Sequence, residues 1–214
     1  MPLDFNALRK EYRLASLDEA QVDKSPIAQF KIWFDQAISS QLTEPNAMTL
    51  ATASSNGVPS ARVVLLKEYG ETGFTFFTNY RSRKGVELKD NPRAALLFYW
   101  AELERQIRIE GSVDQVSRPE SESYFKKRPR KSQIGANASL QSSPLKDRAT
   151  LEQEAARLEQ LWEGQEVPCP ASWGGYLLRP EFFEFWQGRE SRLHDRICYR
   201  RDVTRHWLIE RLAP

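Results

Sequence analysis

MTLATASSNGVPSARVVLLK, residues 48–67, is the stretch that decides the fold. MTLATAS reads as a strand, Ser55-Asn56-Gly57 as a tight turn, and PSARVVLLK as the returning strand of a β-hairpin. The same texture continues on both sides. Gly70 to Gly73 form a second turn and FTFFT (74–78) a third strand. Ser82 can cap a short helix, RKGVELKD (83–90), which ends before Asn91-Pro92. AALLFYW (94–100) and ERQIRIEGSV (104–113) read as two more strands. In the second, Gln106, Arg108 and Glu110 share one face, and Ile107 and Ile109 the other.

Upstream, Ser25-Pro26 supplies an N-cap and a first-turn proline. Ile27, Phe30, Trp33, Phe34, Ala37 and Ile38 then recur at helical spacing, so this helix docks on a core. FNALRKEYRLA (5–15) reads as a short helix or an ordered arm. Downstream, RPESESYFKKR (118–128) fits a helix limited by Pro129, with Tyr124 and Arg128 one turn apart. SQIGANASLQSSPL (132–145) has the small, polar composition of a loop near a ligand. TLEQEAARLEQLWEG (150–164) is an amphipathic helix striped by Leu151, Ala155, Leu158 and Leu161. From Trp173 the strands WGGYLLRP, EFFEFWQG, RLHDRICYRR and HWLIERLAP close the chain. Short turns between many antiparallel strands predict a mainly β, α+β fold: a small closed barrel with helical additions.

Composition removes several function classes. Lys and Arg number 31 and Asp and Glu 29, for a net charge of +2, which argues against bulk nucleic-acid binding. No apolar run has the length of a membrane span, and MPLDFNALRKEY lacks the apolar centre of a signal peptide. Cys169 and Cys198 give neither a metal spacing nor a disulfide framework, so a reducing cytoplasm is the expected compartment. No Gly-rich phosphate loop and no recognisable Ser-His triad motif is present, which leaves hydrolase and metal readings weak.

The chemistry concentrates in RLHDR (192–196). On a strand, Arg192, His194 and Arg196 would share one face, two residues and roughly 6–7 Å apart, with Leu193 and Ile197 on the core face. Guanidiniums flanking an imidazole suit an anion better than a solvated surface. Trp186 and Gly188 just before it suggest a flat ring beside a close backbone approach. Cations also recur at other strand ends: Arg62, Lys67, Arg83, Lys84 and Arg128, near Thr78, Ser82, Gln106, Ser132, Gln141 and Ser142. A phosphorylated ligand wants such mixed donors. Arg62 and Lys67 are five apart, so they serve one pocket only if the strand end bends.

Taken in order, RVVLLK (62–67), FFTNYRSRKGVEL (76–88), LFYWAELERQIRIEG (97–111), SQIGANASLQSS (132–143), EFWQGRESRLHDRI (184–197) and the terminal ERLAP resemble the pyridoxine (pyridoxamine) 5′-phosphate oxidases. The resemblance implies one FMN-binding split-barrel domain over 1–214, with an N-terminal arm (1–24) and a helical insertion (117–165). It implies a homodimer with FMN at the interface, a phosphorylated B6 vitamer as substrate, O2 as acceptor, and no metal, nucleic acid or membrane. Arg62, Val63, Val64, Leu65, Leu66, Lys67, Phe77, Thr78, Arg83, Lys84, Gln106, Gln141, Ser142, Trp186 and Arg196 would hold FMN. Lys67, Tyr124, Arg128 and Ser132 would hold the substrate phosphate, and the arm residues Arg9, Lys10, Glu11 and Tyr12 would close over the substrate. Arg192, Leu193 and His194 would face its pyridine ring, with Arg192 and His194 as the catalytic pair. Lys131, Asn137 and Leu140 depart from the family pattern, where Gly, Trp and a basic residue are expected. Another split-barrel flavin enzyme, or a non-catalytic carrier of FMN or pyridoxal phosphate, is the alternative.

Overall fold

The computed structural model describes residues 11–214. The expectations for Arg9 and Lys10 lie outside them. Among the described residues are helices α1 (Pro26–Ser39), α2 (Arg83–Asp90), α3 (Arg118–Lys126), α4 (Arg130–Ala138) and α5 (Arg148–Leu161). The strands are β1 (Ala47–Ala53), β2 (Pro59–Leu65), β3 (Glu68–Gly70), β4 (Gly73–Asn79), β5 (Arg93–Trp100), β6 (Arg105–Gln115), β7 (Trp173–Gln187), β8 (Asp195–Arg201) and β9 (Trp207–Arg211). They pair in the order β2-β1-β5-β6-β7-β4-β3, with β8 on β7 and β9 on β8. The chain divides into two compact units, one running up to Thr49 with Ala95–Glu110 and Pro180–Pro214, the other Leu50–Ala94 with Gly111–Arg179.

In the first unit, α1 starts where the sequence places it: Ser25 accepts a hydrogen bond from the Ala28 N–H, with Pro26 in the first turn. Its buried face carries Ile27, Phe30, Trp33 and Ala37, whereas Ile38, expected on that face, is exposed. Phe30 meets Phe98 edge-on at 5.2 Å and Trp33 meets Phe185 at 5.3 Å. Such aromatic burial is the main favourable term, and truncating one of these rings costs about 3–5 kcal/mol. Residues 11–24 form no helix and are tied down by side chains. Glu104 accepts from the Arg13 and Leu14 N–H groups, and Asp195 from Leu17.

In the second unit, β4 pairs with β7 from Phe74↔Leu178 to Asn79↔Trp173. Gly175 faces Phe77 there, and a Cβ on it would sit 2.8 Å from that ring. A satellite core of Phe125, Ile134, Leu158, Val167 and Trp173 holds the three later helices. Leu161, read as part of the α5 stripe, is exposed.

Three further expectations differ from the structure. Residues 130–138 are helical where a loop was expected. Ile134 is buried, and the Gln133 side-chain amide donates to the Phe125, Lys126 and Arg128 carbonyls that α3 leaves open at its end. WGGYLLRP and EFFEFWQG form a single strand: β7 pairs β4 up to Leu178 and β8 from Phe182, so Pro180 lies between the two ladders. Finally, Arg192 to His194 are not on a strand. Glu190–Arg192 is a single 3-10 turn with Ser191 at φ 56° and Arg192 at φ 65°, and β8 begins only at Asp195. Leu193, expected in the core, is 68% exposed, while Ile197 is fully buried.

Candidate functional site

The second unit contains a cavity of about 720 Å3, within the usual range for a bound small molecule. β2 contributes Arg62, Val63, Val64 and Leu65, and Lys67 follows just beyond the strand end. The chain leaves the strand at Leu65, and the Lys67 N–H bonds to the Thr75 carbonyl, so residues five apart reach one cavity. β4 adds Phe77, Thr78 and Asn79, and α2 adds Lys84. Tyr124, Lys127 and Arg128 come from the end of α3, Ser132, Gly135 and Ala136 from α4, and Gln141 from the segment after it.

Its electrostatics are one-sided. Arg62, Lys67, Lys84, Lys127 and Arg128 line it, and among the described residues no carboxylate does. The Lys84 ammonium is buried on neutral partners: Gln141 Oε1 at 3.0 Å, Thr78 Oγ1 at 3.2 Å and Ser82 Oγ at 3.3 Å. Burial, helped by the Arg62 charge, pulls its pKa down against the opposing pull of Glu87. Arg128 lies 4.7 Å over the Trp173 ring, and burial lowers its pKa also. Its Nη1 is buried without a hydrogen-bond partner among the described residues. A cavity lined by five cations and, among the described residues, no carboxylate suits an anionic ligand. One wall is aromatic: Phe77 stacks on Tyr124 at 4.0 Å and on Trp173 at 5.3 Å.

Arg62 is held from behind. Its Nη1 donates to the Leu50 carbonyl at 3.2 Å and to Thr52, and its Nη2 donates to Ser60 and to Glu87 at 3.3 Å. The Glu87 carboxylate also accepts from Thr52 Oγ1 at 2.5 Å, Ser60 Oγ at 2.6 Å and Arg83 Nε at 2.9 Å. Burial pushes Glu87 up, but these hydrogen bonds and the Arg62 charge outweigh it and hold the carboxyl at about 2. A depressed carboxylate stabilises the fold fully above its unfolded value near 4.5, and that contribution is lost as pH falls through about 2. Acid unfolding of the wild type should therefore steepen between those values, and Glu87→Gln should flatten that limb. A pH series of thermal melts checks this; parallel curves would contradict it.

Of the other expected site residues, Glu11, Tyr12, Gln106, Trp186, Arg192, Leu193, His194 and Arg196 lie in the first unit. Trp186 and Arg196 are cross-strand partners in β7 and β8. Arg196 Nε donates to the buried Glu184 at 2.8 Å, which Arg108 contacts at 2.7 Å from the other side. His194 lies 4.6 Å from the Trp186 ring, with Tyr12 edge-on to both at 5.7 Å. Tyr12 rests on Gly188, where a Cβ would come within 2.7 Å of its ring. The flat ring on a close backbone approach is thus the arm's own tyrosine. His194 Nδ1 accepts from the Arg189 N–H at 3.1 Å, which leaves its hydrogen on Nε2. Burial, and then the neighbouring Arg192, lower its pKa against the opposing Asp195 charge, which favours the neutral ring.

Leu66 is buried and Ser142 exposed; neither lines the cavity. Arg83 lies on Glu87, mostly in solvent, and Gln106 is a half-buried residue of β6. Sequence reasoning missed Trp173, Lys127, Glu87 and Arg189. Lys127 is next to Arg128 and Glu87 is four residues from Arg83, whereas Trp173 meets Tyr124 across the fold and Arg189 bonds His194 through its backbone and Asp195 through its side chain.

Residues 34–162 match the model of the pyridoxamine 5′-phosphate oxidase family, and residues 173–214 match a pyridoxine 5′-phosphate oxidase C-terminal dimerisation region. The chain belongs to the pyridoxamine 5′-phosphate oxidase family. A pyridoxine/pyridoxamine 5′-phosphate oxidase of Cyanothece sp. is 56% identical over the whole of both chains. One of Ralstonia pickettii is 56% identical over 97% of each chain. Among solved structures, PhzG from Burkholderia lata in complex with tetrahydrophenazine-1-carboxylic acid superposes with a TM-score of 0.89 at 34% identity, covering 96% of this chain and all of that one. A family-related FMN-binding protein of Nostoc punctiforme, 19% identical, shares the fold with a TM-score of 0.70 over 89% of this chain and 98% of its own. The architecture is therefore the family's antiparallel split barrel with helices. Among the described residues, no helix is long and apolar enough to cross a membrane, and no group of three or more potential metal-binding side chains gathers.

Proposed function

We propose that this protein is an FMN-dependent oxidase. It converts pyridoxine 5′-phosphate and O2 to pyridoxal 5′-phosphate and H2O2; with the 5′-phosphate of pyridoxamine, water is consumed and ammonia released. The observation that carries the reading is the cation-lined cavity, in a chain 56% identical to an oxidase of this name.

The residues present fit the cofactor. Lys84 offers a buried ammonium with exchangeable neutral partners for a terminal phosphate. Thr78 and Gln141 stand beside it, and the β2 residues from Arg62 to Leu65 form the adjoining wall. Bound FMN supplies a two-electron acceptor that O2 restores. Gln106, Trp186 and Arg196 complete its grip at the interface of a homodimer, in keeping with the dimerisation region. Lys67, Tyr124, Arg128 and Ser132 hold the substrate phosphate, a remote anchor whose binding energy places the reacting carbon. Arg192 covers the pyridine ring, and the neutral His194 donates from Nε2 to a ring substituent.

The relative of known structure binds a tricyclic carboxylic acid, which gives a second reading: an unphosphorylated acid in the same cavity. Cofactor analysis of the purified protein tests the flavin part. It should be yellow, dimeric by light scattering, and carry about one FMN per chain, with FAD bound poorly because its phosphates are not terminal. A colourless protein that FMN cannot reconstitute, or a flavin-loaded monomer, would contradict it.

A further inference from the structure

We propose that Glu87 is a positioning residue of the cofactor-phosphate site: its buried carboxylate fixes Arg62 in the cavity wall. This rests on the FMN reading above. One carboxylate gathers donors from three elements: Thr52 on β1, Ser60 and Arg62 on β2, and Arg83 in the first turn of its own helix. Thr52 and Ser60 each donate to Glu87 while accepting from Arg62, so the four groups form a closed network. Both terminal nitrogens of Arg62 are thereby committed inside the protein. Arg62 then contributes charge and shape to the cavity and has little donor capacity to spare.

Lys84 differs. It sits one helical turn before Glu87 and meets only a carbonyl and two hydroxyl oxygens at 3.0–3.3 Å. A phosphate can replace such neutral partners with a charge-assisted bond. Glu87 thus holds Arg62 in the wall of the cavity that Lys84 also lines.

The sign of the effect distinguishes positioning from bulk charge. Deleting a carboxylate beside a cation-lined cavity should, on charge alone, tighten anion binding. Positioning gives the opposite, because Arg62, Thr52 and Ser60 lose their common charged acceptor. The test titrates full-length apoprotein with FMN and with riboflavin, which lacks the phosphate, following flavin fluorescence. Glu87→Gln should weaken FMN binding roughly tenfold or more and leave riboflavin binding within about twofold. Thr52→Val, which removes one donor without stranding a charge, should give the same FMN-selective loss at smaller size, and it carries the test if Glu87→Gln does not fold. Unchanged or tighter FMN binding would overturn the inference, as would equal weakening of both flavins, the mark of general damage. If the wild type binds no FMN, the underlying reading fails instead.

Discussion

Arg192→Leu is expected to lower kcat/KM for pyridoxine 5′-phosphate by about 10²–10³, or ~2.7–4 kcal/mol of transition-state stabilisation, with FMN content unchanged. Arg192 is exposed at the end of a turn whose last two residues are left-handed, an arrangement that costs about 1–3 kcal/mol per non-glycine residue. The neighbouring arm holds that turn in place. Arg13 pairs with Glu190 at 2.6 Å, and Glu11 accepts from the Ser191 N–H at 3.3 Å. A guanidinium displayed from a braced, strained turn is preorganised for a ligand. His194→Asn should cost less than about tenfold. The ring is neutral and acts as a donor, and an amide can also donate. Arg192→Leu leaves Trp186 and Arg196 untouched, and His194→Asn removes one ring contact of Trp186 but leaves its Tyr12 contact, so the flavin spectrum should survive in both variants. Steady-state kinetics on flavin-matched protein decide; unchanged kcat/KM for Arg192→Leu would remove the assignment.

Arg128→Ala is expected to raise KM for the phosphorylated substrate by roughly 30- to 100-fold with little change in kcat, matching one charge-assisted bond of about 2–3 kcal/mol. Turnover of free pyridoxine, which lacks the phosphate, should be unaffected. Without ligand the same change should leave the melting temperature level or raise it, because the wild type buries a guanidinium whose Nη1 has no partner among the described residues. Binding function maintained at a cost in stability is common at active sites. Substrate kinetics paired with thermal melts of the apoprotein check both halves. A large loss of stability with unchanged KM would make Arg128 a structural residue.

Local signals carried most of the architecture. The 48–67 hairpin and the Ser25 and Ser82 caps depend on residues within a turn of one another, so their chemistry is visible in the chain. What failed to show was set at a distance. α4 is held by the burial of Ile134 and by Gln133 closing another helix, neither of which alters its loop-like composition. The RLHDR segment alternates in charge like a strand, yet its first three residues belong to the left-handed turn and its exit. In the site, Arg62, Lys67, Lys84 and Arg128 drew notice as cations beside apolar strands, and all four line one cavity. Glu87 did not, since a lone glutamate on a short helix looks like solvated surface. Its role depends on hydroxyls and a guanidinium brought to it by two strands.

The central claim is oxidation of a phosphorylated B6 vitamer. Its most direct measurement is product analysis after the FMN-loaded protein is supplied, in air, with pyridoxine 5′-phosphate, pyridoxine, or a tetrahydrophenazine carboxylate. Pyridoxal 5′-phosphate and H2O2 should form in equal amounts from the first, with kcat/KM at least about 10²-fold above that for free pyridoxine. A flavin-loaded protein that leaves pyridoxine 5′-phosphate unchanged, or oxidises the tricyclic acid in its place, would contradict the account.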